Sequence, residues 1–253
     1  MDFHRDTGQL PLWPDTGPAE EWTVRVSRRA RRLSVRVHLT GRVEVIVPPR
    51  TSARSVQRFI GRHRDWIDRR RAEARRNARP LEPFPPRSIE LSGCNEKWRV
   101  HLAGGAGVPQ AFEAAAGLVS LTGAVTESGA VRNALRQWLV AHAREALGRQ
   151  LAALATELGL TYGRLSVRRQ RTRWGSCSVR GTISLNCCLL FQRPEVVRYL
   201  LVHELAHTVH MNHSARFWHR VARHAPDFER LDRELLDGWR RVPSWVFDEQ
   251  VTP

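Results

Sequence analysis

Two histidines and a glutamate in the carboxyl-terminal half have the types and spacing of a zinc hydrolase site. His203, Glu204 and His207 fit the pattern H-E-x-x-H. Residues four apart lie on one face of an α-helix, so His203 and His207 can hold a single Zn²⁺ through their imidazoles. Glu204 follows the first ligand and can act as a general base towards water. The pattern therefore predicts a zinc hydrolase, most often a peptidase.

A third ligand has to come from beyond this helical face. His210 shares the face, but it lies about 10 Å along the axis from His203, too far for both to bind one zinc ion. His213 reaches the metal only if the helix ends before it. We predict a break at residues 211–212, because Asn212 tolerates the left-handed conformation that ends helices. The alternative third ligands are acidic residues further along the chain: Asp227, Glu229 and Glu234.

The elements around the motif are predicted to bury and support it. Pro194 suits the first turn of a helix, and Glu195 favours the positive end of the helix dipole. This helix is apolar nearly all round, so it should be buried, and polar groups on it need partners such as a metal. The segment before it predicts a β-hairpin with a turn at 180–181 and with Ile183 and Leu185 on one face.

The remaining pattern predicts an α+β chain. Residues 1–20 are rich in proline, glycine and aspartate and predict a flexible tail. Residues 21–123 predict a mainly β amino-terminal part with one long helix, which starts at Thr51 or Ser52 and ends near Arg76. A strand meander should precede this helix, and a linker at 77–86 and further short strands should follow it. Helical periodicity begins near residue 127 and opens the last part, residues 124–253.

The composition predicts a soluble protein with an affinity for anions. The 253 residues carry a net charge of +16, and nucleic acid is a possible partner on that ground. The competing interpretation is a coding bias, since Lys97 is the only lysine among 41 basic residues. The four cysteines form no C-x-x-C pair, and neither a secretory signal nor a membrane-spanning run is visible. We therefore predict a cytoplasmic protein without a membrane partner.

Several stretches together resemble the YgjP-like metallopeptidases, which are cytosolic zincins related to the WLM and SprT-like groups. They are R-W-G-S-C-S at 173–178, I-S-L-N at 183–186, Y-L-L-V-H-E-L-A-H at 199–207, N-H-S at 212–214 and F-W at 217–218. The resemblance implies a zincin-like metallopeptidase domain at 124–253 and a peptide or protein substrate. It also implies one Zn²⁺ on His203, His207 and His213, with Glu204 as base.

Other residues are candidates for supporting roles. Tyr199, Arg216 and His219 are candidate donors to the oxyanion, although for each of them a structural role is the favoured interpretation. Arg173 could support the site or form an ion pair at the core edge, and Asn186 could lie at the substrate cleft. The hairpin strand could pair with an extended substrate by β-addition. A nucleic-acid-associated protease and a non-catalytic zinc-stabilised binding module remain the alternative functions.

Overall fold

The computed structural model describes residues 22–37, 41–76, 83–126 and 128–247. It confirms the predicted α+β class. By its contacts the chain divides into two units, residues 1–80 and 81–253. The predicted tail at 1–20 and most of the linker at 77–86 lie outside the described residues.

The first unit contains three strands and one helix: β1 (Trp22–Val26), β2 (Ser34–Val37), β3 (Val43–Val47) and α1 (Ala53–Arg76). The side chain of Ser52 accepts a hydrogen bond from the Ser55 amide, which confirms the predicted start of α1. The predicted meander is wrong, because the strand order is β1-β3-β2 and β1 pairs with β3 in parallel. The central strand is β3, whose alternate side chains Val45 and Val47 pack with Val56 of α1.

The second unit begins with a four-stranded sheet of order β4-β5-β7-β6. Its strands are β4 (Ser88–Leu91), β5 (Glu96–Gly104), β6 (Gln110–Ala115) and β7 (Leu118–Thr122). Side chains of this sheet, such as Leu91 and Val119, share one hydrophobic core with Leu135 and Leu147 of the helix that follows. By contacts, this sheet therefore belongs to the same unit as the helices that follow it. The sequence-based division after residue 123 stays a prediction.

That helix and a three-stranded sheet come next: α2 (Ser128–Leu158), β8 (Arg164–Arg168), β9 (Gly175–Cys177) and β10 (Thr182–Asn186). Gly159, with φ of +63°, follows the end of α2 in the left-handed conformation that few other residues adopt. The predicted hairpin is formed by β9 and β10, and β8 adds to it in parallel. As predicted, Ile183 and Leu185 are both buried, while β9 lies at the edge of the sheet.

Three further helices complete the second unit: α3 (Pro194–Ala206), α4 (Ala215–His224) and α5 (Phe228–Asp237). Pro194 and Glu195 occupy the first turn of α3, as predicted, and most of this helix is buried. No helix of the described residues has the length and apolar character to cross a bilayer. All four cysteines are free. The cytoplasmic location stays a prediction.

Candidate metal centre

Three imidazoles converge at the carboxyl-terminal end of α3. The Nε2 atom of His203 lies 3.2 Å from Nε2 of His207 and 3.2 Å from Nε2 of His213. The edge of a zinc tetrahedron is about 3.3 Å, given zinc–nitrogen bonds of about 2.0–2.1 Å. The separations therefore fit three nitrogen ligands of one tetrahedral metal, with a fourth position left open.

The end of α3 brings His213 to the other two histidines. The helix stops at Ala206, and the next turn tightens through hydrogen bonds from the Thr208 amide to Leu205 O and from the Val209 amide to Ala206 O. The Thr208 hydroxyl donates to the Leu205 carbonyl as well. The break thus precedes the predicted position at 211–212. Asn212 does not have a positive φ, so the mechanism that we predicted for the break is wrong.

Burial favours the neutral form of the His203 and His207 rings, in which a ring nitrogen can bind a cation. The carbonyl of His210 lies 3.0 Å from Nδ1 of His207 and accepts a hydrogen bond from its N–H, which leaves the Nε2 lone pair for a metal. Burial and the neighbouring His207 and His213 lower the pKa of His203 to about 3. Burial also lowers the pKa of His207. Both rings are therefore neutral near pH 7, which is the state that ligation requires.

Two aromatic rings of α4 pack against the histidines. Phe217 is fully buried, and its ring centroid lies 4.4 Å from that of His207 and 4.8 Å from that of His213. Trp218 lies 5.5 Å from the His213 ring and stacks on Phe228 of α5. The contacts of Phe217 with the histidines were not predicted from the sequence, and its position four residues after His213 was the available signal.

Glu204 is the carboxylate of the centre, and it is only 3% exposed. Its Oε2 atom makes no hydrogen bond with the described residues, and burial raises the pKa of Glu204 to about 8. Gly175 of β9 packs directly against it. A Cβ at position 175 would lie 2.9 Å from Cδ and 3.0 Å from Cγ of Glu204. The glycine therefore leaves room for the carboxylate, a contact that no sequence pattern indicated.

The structure gives Tyr199 and Asn186 other partners. The Tyr199 hydroxyl donates to Asp232 of α5 at 2.8 Å. Asn186 is fully buried and donates to the carbonyls of Gln170 and Arg173 at 2.8 and 2.7 Å. Its side chain thereby fixes the loop before β9 and does not reach an exposed cleft.

The other candidates lie at the surface. The side chains of Arg173, Arg216 and His219 are all exposed. Among the alternative ligands, Glu234 is held by Arg193 at 2.6 Å and by Arg241 at 2.9 Å. The remaining two are Asp227, which pairs with Arg230, and Glu229, which is exposed. Among the described residues at this end of α3, the group that could hold a metal ion consists of the three histidines alone.

Replacement of Tyr199 by phenylalanine tests whether its hydroxyl serves the reaction. Loss of the hydrogen bond to Asp232 should lower the free energy of unfolding by about 1 kcal/mol. We expect kcat/KM to stay within about threefold of wild type, because the hydroxyl already donates to that carboxylate. Urea unfolding and peptidase kinetics measure the two effects. If kcat fell by about 100-fold or more in a folded variant, Tyr199 would be an oxyanion donor.

Comparisons with known proteins find a matching family model and similar solved structures. Residues 31–237 match the sequence model of a family described as YgjP-like, metallopeptidase domain. The metallopeptidase zymogen of Pyrococcus abyssi abylysin is 27% identical, with a TM-score of 0.31 over 36% of this chain and 93% of that chain. The zymogen of Methanocaldococcus jannaschii jannalysin is 15% identical, with a TM-score of 0.34 over 37% of this chain and 96% of that chain. No curated protein gives a significant match.

Proposed function

The chain belongs to the YgjP-like metallopeptidase family, and from this premise we propose that it is a zinc-dependent peptidase with Glu204 as general base. The observation that supports the proposal is the convergence of His203, His207 and His213 on one point, next to a buried carboxylate. Three histidine nitrogens with an open fourth position are typical of catalytic zinc sites, whereas structural sites have four protein ligands.

Glu204 carries the proton in the proposed reaction. Zinc supplies Lewis acidity, which makes water acidic enough to be deprotonated near neutral pH. Glu204 accepts that proton as the water attacks the peptide carbonyl, and then delivers it to the departing amine. Burial alone favours the protonated carboxyl, but a divalent cation nearby favours the ionised form. A bound cation would therefore lower the pKa of Glu204 from about 8, towards the ionised form that accepts a proton.

We further propose that an extended peptide substrate pairs with the outer edge of β9. In the described part of the chain, β9 is an edge strand, with β10 on its other side. Gly175 on this strand touches Glu204, so a peptide along the edge would pass close to the base. Backbone hydrogen bonds would then supply affinity without a requirement for particular side chains.

The Gly175→Ala variant tests the placement of the base. The added methyl group forces the Glu204 carboxylate to move, and a displacement of about 1 Å can lower kcat by about 100-fold. Zinc content should not change. The matched control is Gly148→Ala on α2, where a Cβ would lie 3.5 Å from Leu165 in ordinary contact. Full activity of Gly175→Ala would show that the carboxylate need not be held in its present position.

A proteolysis assay with controlled zinc tests the main proposal. Wild-type protein should hydrolyse an unfolded protein, lose this activity when a chelator removes the metal, and regain it with added zinc. Activity that survives chelation and dialysis would contradict zinc dependence. If the zinc-loaded protein does not hydrolyse any of a broad set of unfolded substrates, the non-catalytic zinc-stabilised module is the better description.

An association with nucleic acid is the second candidate function. A groove of about 510 Å³ on α4 is lined by basic and imidazole side chains: His210, Arg216, His219, Arg220, Arg223 and His224. The lining also includes Ala215 but no acidic residue. In the first unit, α1 exposes further arginines: Arg54, Arg58, Arg62 and Arg69. Such surfaces support binding to phosphate backbones, which would bring the peptidase to proteins bound there.

Salt dependence tests this candidate. Binding to duplex or single-stranded DNA should weaken as salt rises, and the slope of log K against log salt reports how many phosphates the protein neutralises. Alanine at Arg216, Arg220 and Arg223 should reduce this slope on duplex DNA by about 0.9 for each phosphate that is no longer neutralised. No binding at low salt would exclude the candidate and leave a free-standing peptidase.

A further inference from the structure

We propose that Cys94, Glu96 and His142 form a second zinc site, built from ligands other than the three histidines. A thiol sulfur, a carboxylate oxygen and an imidazole nitrogen of these residues lie within 4.8 Å of one another. All three belong to the second unit of the chain. The site goes beyond the proposed peptidase function and does not depend on it.

Local backbone structure places the first two ligands. Cys94 ends the short 3₁₀ turn Ser92–Cys94, and Glu96 is the first residue of β5. Asn95 between them adopts the left-handed conformation, with φ of 56° and ψ of 39°. This residue turns the chain between Cys94 and Glu96, whose ligand atoms lie within 4.8 Å of each other and of His142. The third ligand, His142, comes from the middle of α2.

The surroundings of His142 suit a metal ligand. The residue is only 7% exposed, and its Nδ1 atom lies 2.7 Å from Oε1 of Glu113. A histidine that binds a metal usually donates its second ring proton to a carboxylate in this way. Trp138 donates to the same Glu113 oxygen at 3.3 Å, which helps to hold it.

The other nitrogen of His142 has no hydrogen-bond partner. Nε2 is buried and lies 2.7 Å from Oε2 of Glu96, but the two atoms are not aligned as a hydrogen bond. The contact is shorter than the edge of about 3.3 Å between two ligands of a tetrahedral zinc, so the two side chains would have to move apart slightly to hold an ion between them. Trp98 donates to the same Glu96 oxygen at 2.8 Å and fixes the carboxylate beside His142.

Zinc is the metal that this ligand set favours. It accepts thiolate, imidazole and carboxylate together in a tetrahedral arrangement, whereas magnesium and calcium prefer oxygen alone. Three protein ligands leave one position for water. Cys94 and Glu96 also line a cavity of about 590 Å³, so an ion can enter from solvent. The competing interpretation is a purely structural contact of His142 with Glu96 and Glu113, without any metal.

Metal content distinguishes the two interpretations. The full-length protein, loaded with zinc and then desalted, should hold about two zinc ions per chain, and a His203→Ala/His207→Ala variant should hold about one. Cys94→Ser in that double variant should reduce the content to background. The control is Cys177→Ser in the same background, which should keep the remaining ion. A double variant that is already free of zinc would overturn the second site, whatever its peptidase activity.

Cobalt gives a spectroscopic test of the thiolate ligand. Cobalt(II) bound to a thiolate shows an intense sulfur-to-metal charge-transfer band in the near ultraviolet, and the three-histidine site contains no sulfur. The His203→Ala/His207→Ala variant should show this band at one equivalent of cobalt and lose it with Cys94→Ser. Cobalt uptake without the band would exclude Cys94 as a ligand and overturn the proposal.

Discussion

Replacement of Glu204 by glutamine is expected to lower kcat by roughly 10²- to 10⁴-fold while the zinc content stays that of wild type. The amide has nearly the same size and fits the same buried position, but it cannot accept a proton from water. The three histidines are unchanged, so the metal remains. Kinetics on an unfolded protein substrate and elemental analysis of the same preparation measure both effects.

The matched control for this prediction is Glu229→Gln. Glu229 is an exposed glutamate at the start of α5, and its loss should leave kcat unchanged. If Glu204→Gln kept a kcat within tenfold of wild type, Glu204 would no longer be a candidate base. Loss of zinc from Glu204→Gln would instead show that the carboxylate helps to hold the metal.

Replacement of His203 by alanine should remove the metal from the three-histidine centre and abolish hydrolysis. His203 is the candidate ligand whose Nε2 lies 3.2 Å from Nε2 of each of the other two histidines. Changes that only disturb a ligand's hydrogen bond already weaken metal binding by about 10- to 100-fold, and loss of the ligand itself should exceed this. Zinc competition with a chelator of known affinity measures the change, and circular dichroism checks that the variant is folded.

His210→Ala is the matched control for the ligand prediction. His207 Nδ1 is bonded to the backbone carbonyl of His210, so the side chain of His210 can be removed while that hydrogen bond is kept. We expect zinc and activity to be retained. Equal zinc loss in His210→Ala and His203→Ala would mean that His210 is a metal ligand. That result would contradict the centre formed by His203, His207 and His213.

Local features of the fold were predictable because their causes lie within a few residues of each other. Ser52 before α1, Pro194 at the start of α3 and Gly159 after α2 mark helix ends through their own backbone and side-chain chemistry. The alternation that buries Ile183 and Leu185 is likewise a property of one strand. Strand order was not predictable in this way, because a parallel pairing such as β1 with β3 depends on how the connection between them runs.

The sequence by itself determined the H-E-x-x-H pair, the buried helix that carries it and the need for that helix to end before His213. Only the tertiary structure decided where that break falls, that Gly175 gives Glu204 its space, and that Cys94 and Glu96 meet His142. The physical reason is the range of the interactions. Helical spacing fixes neighbours one turn apart, whereas these contacts join separate elements that only the packed core brings together.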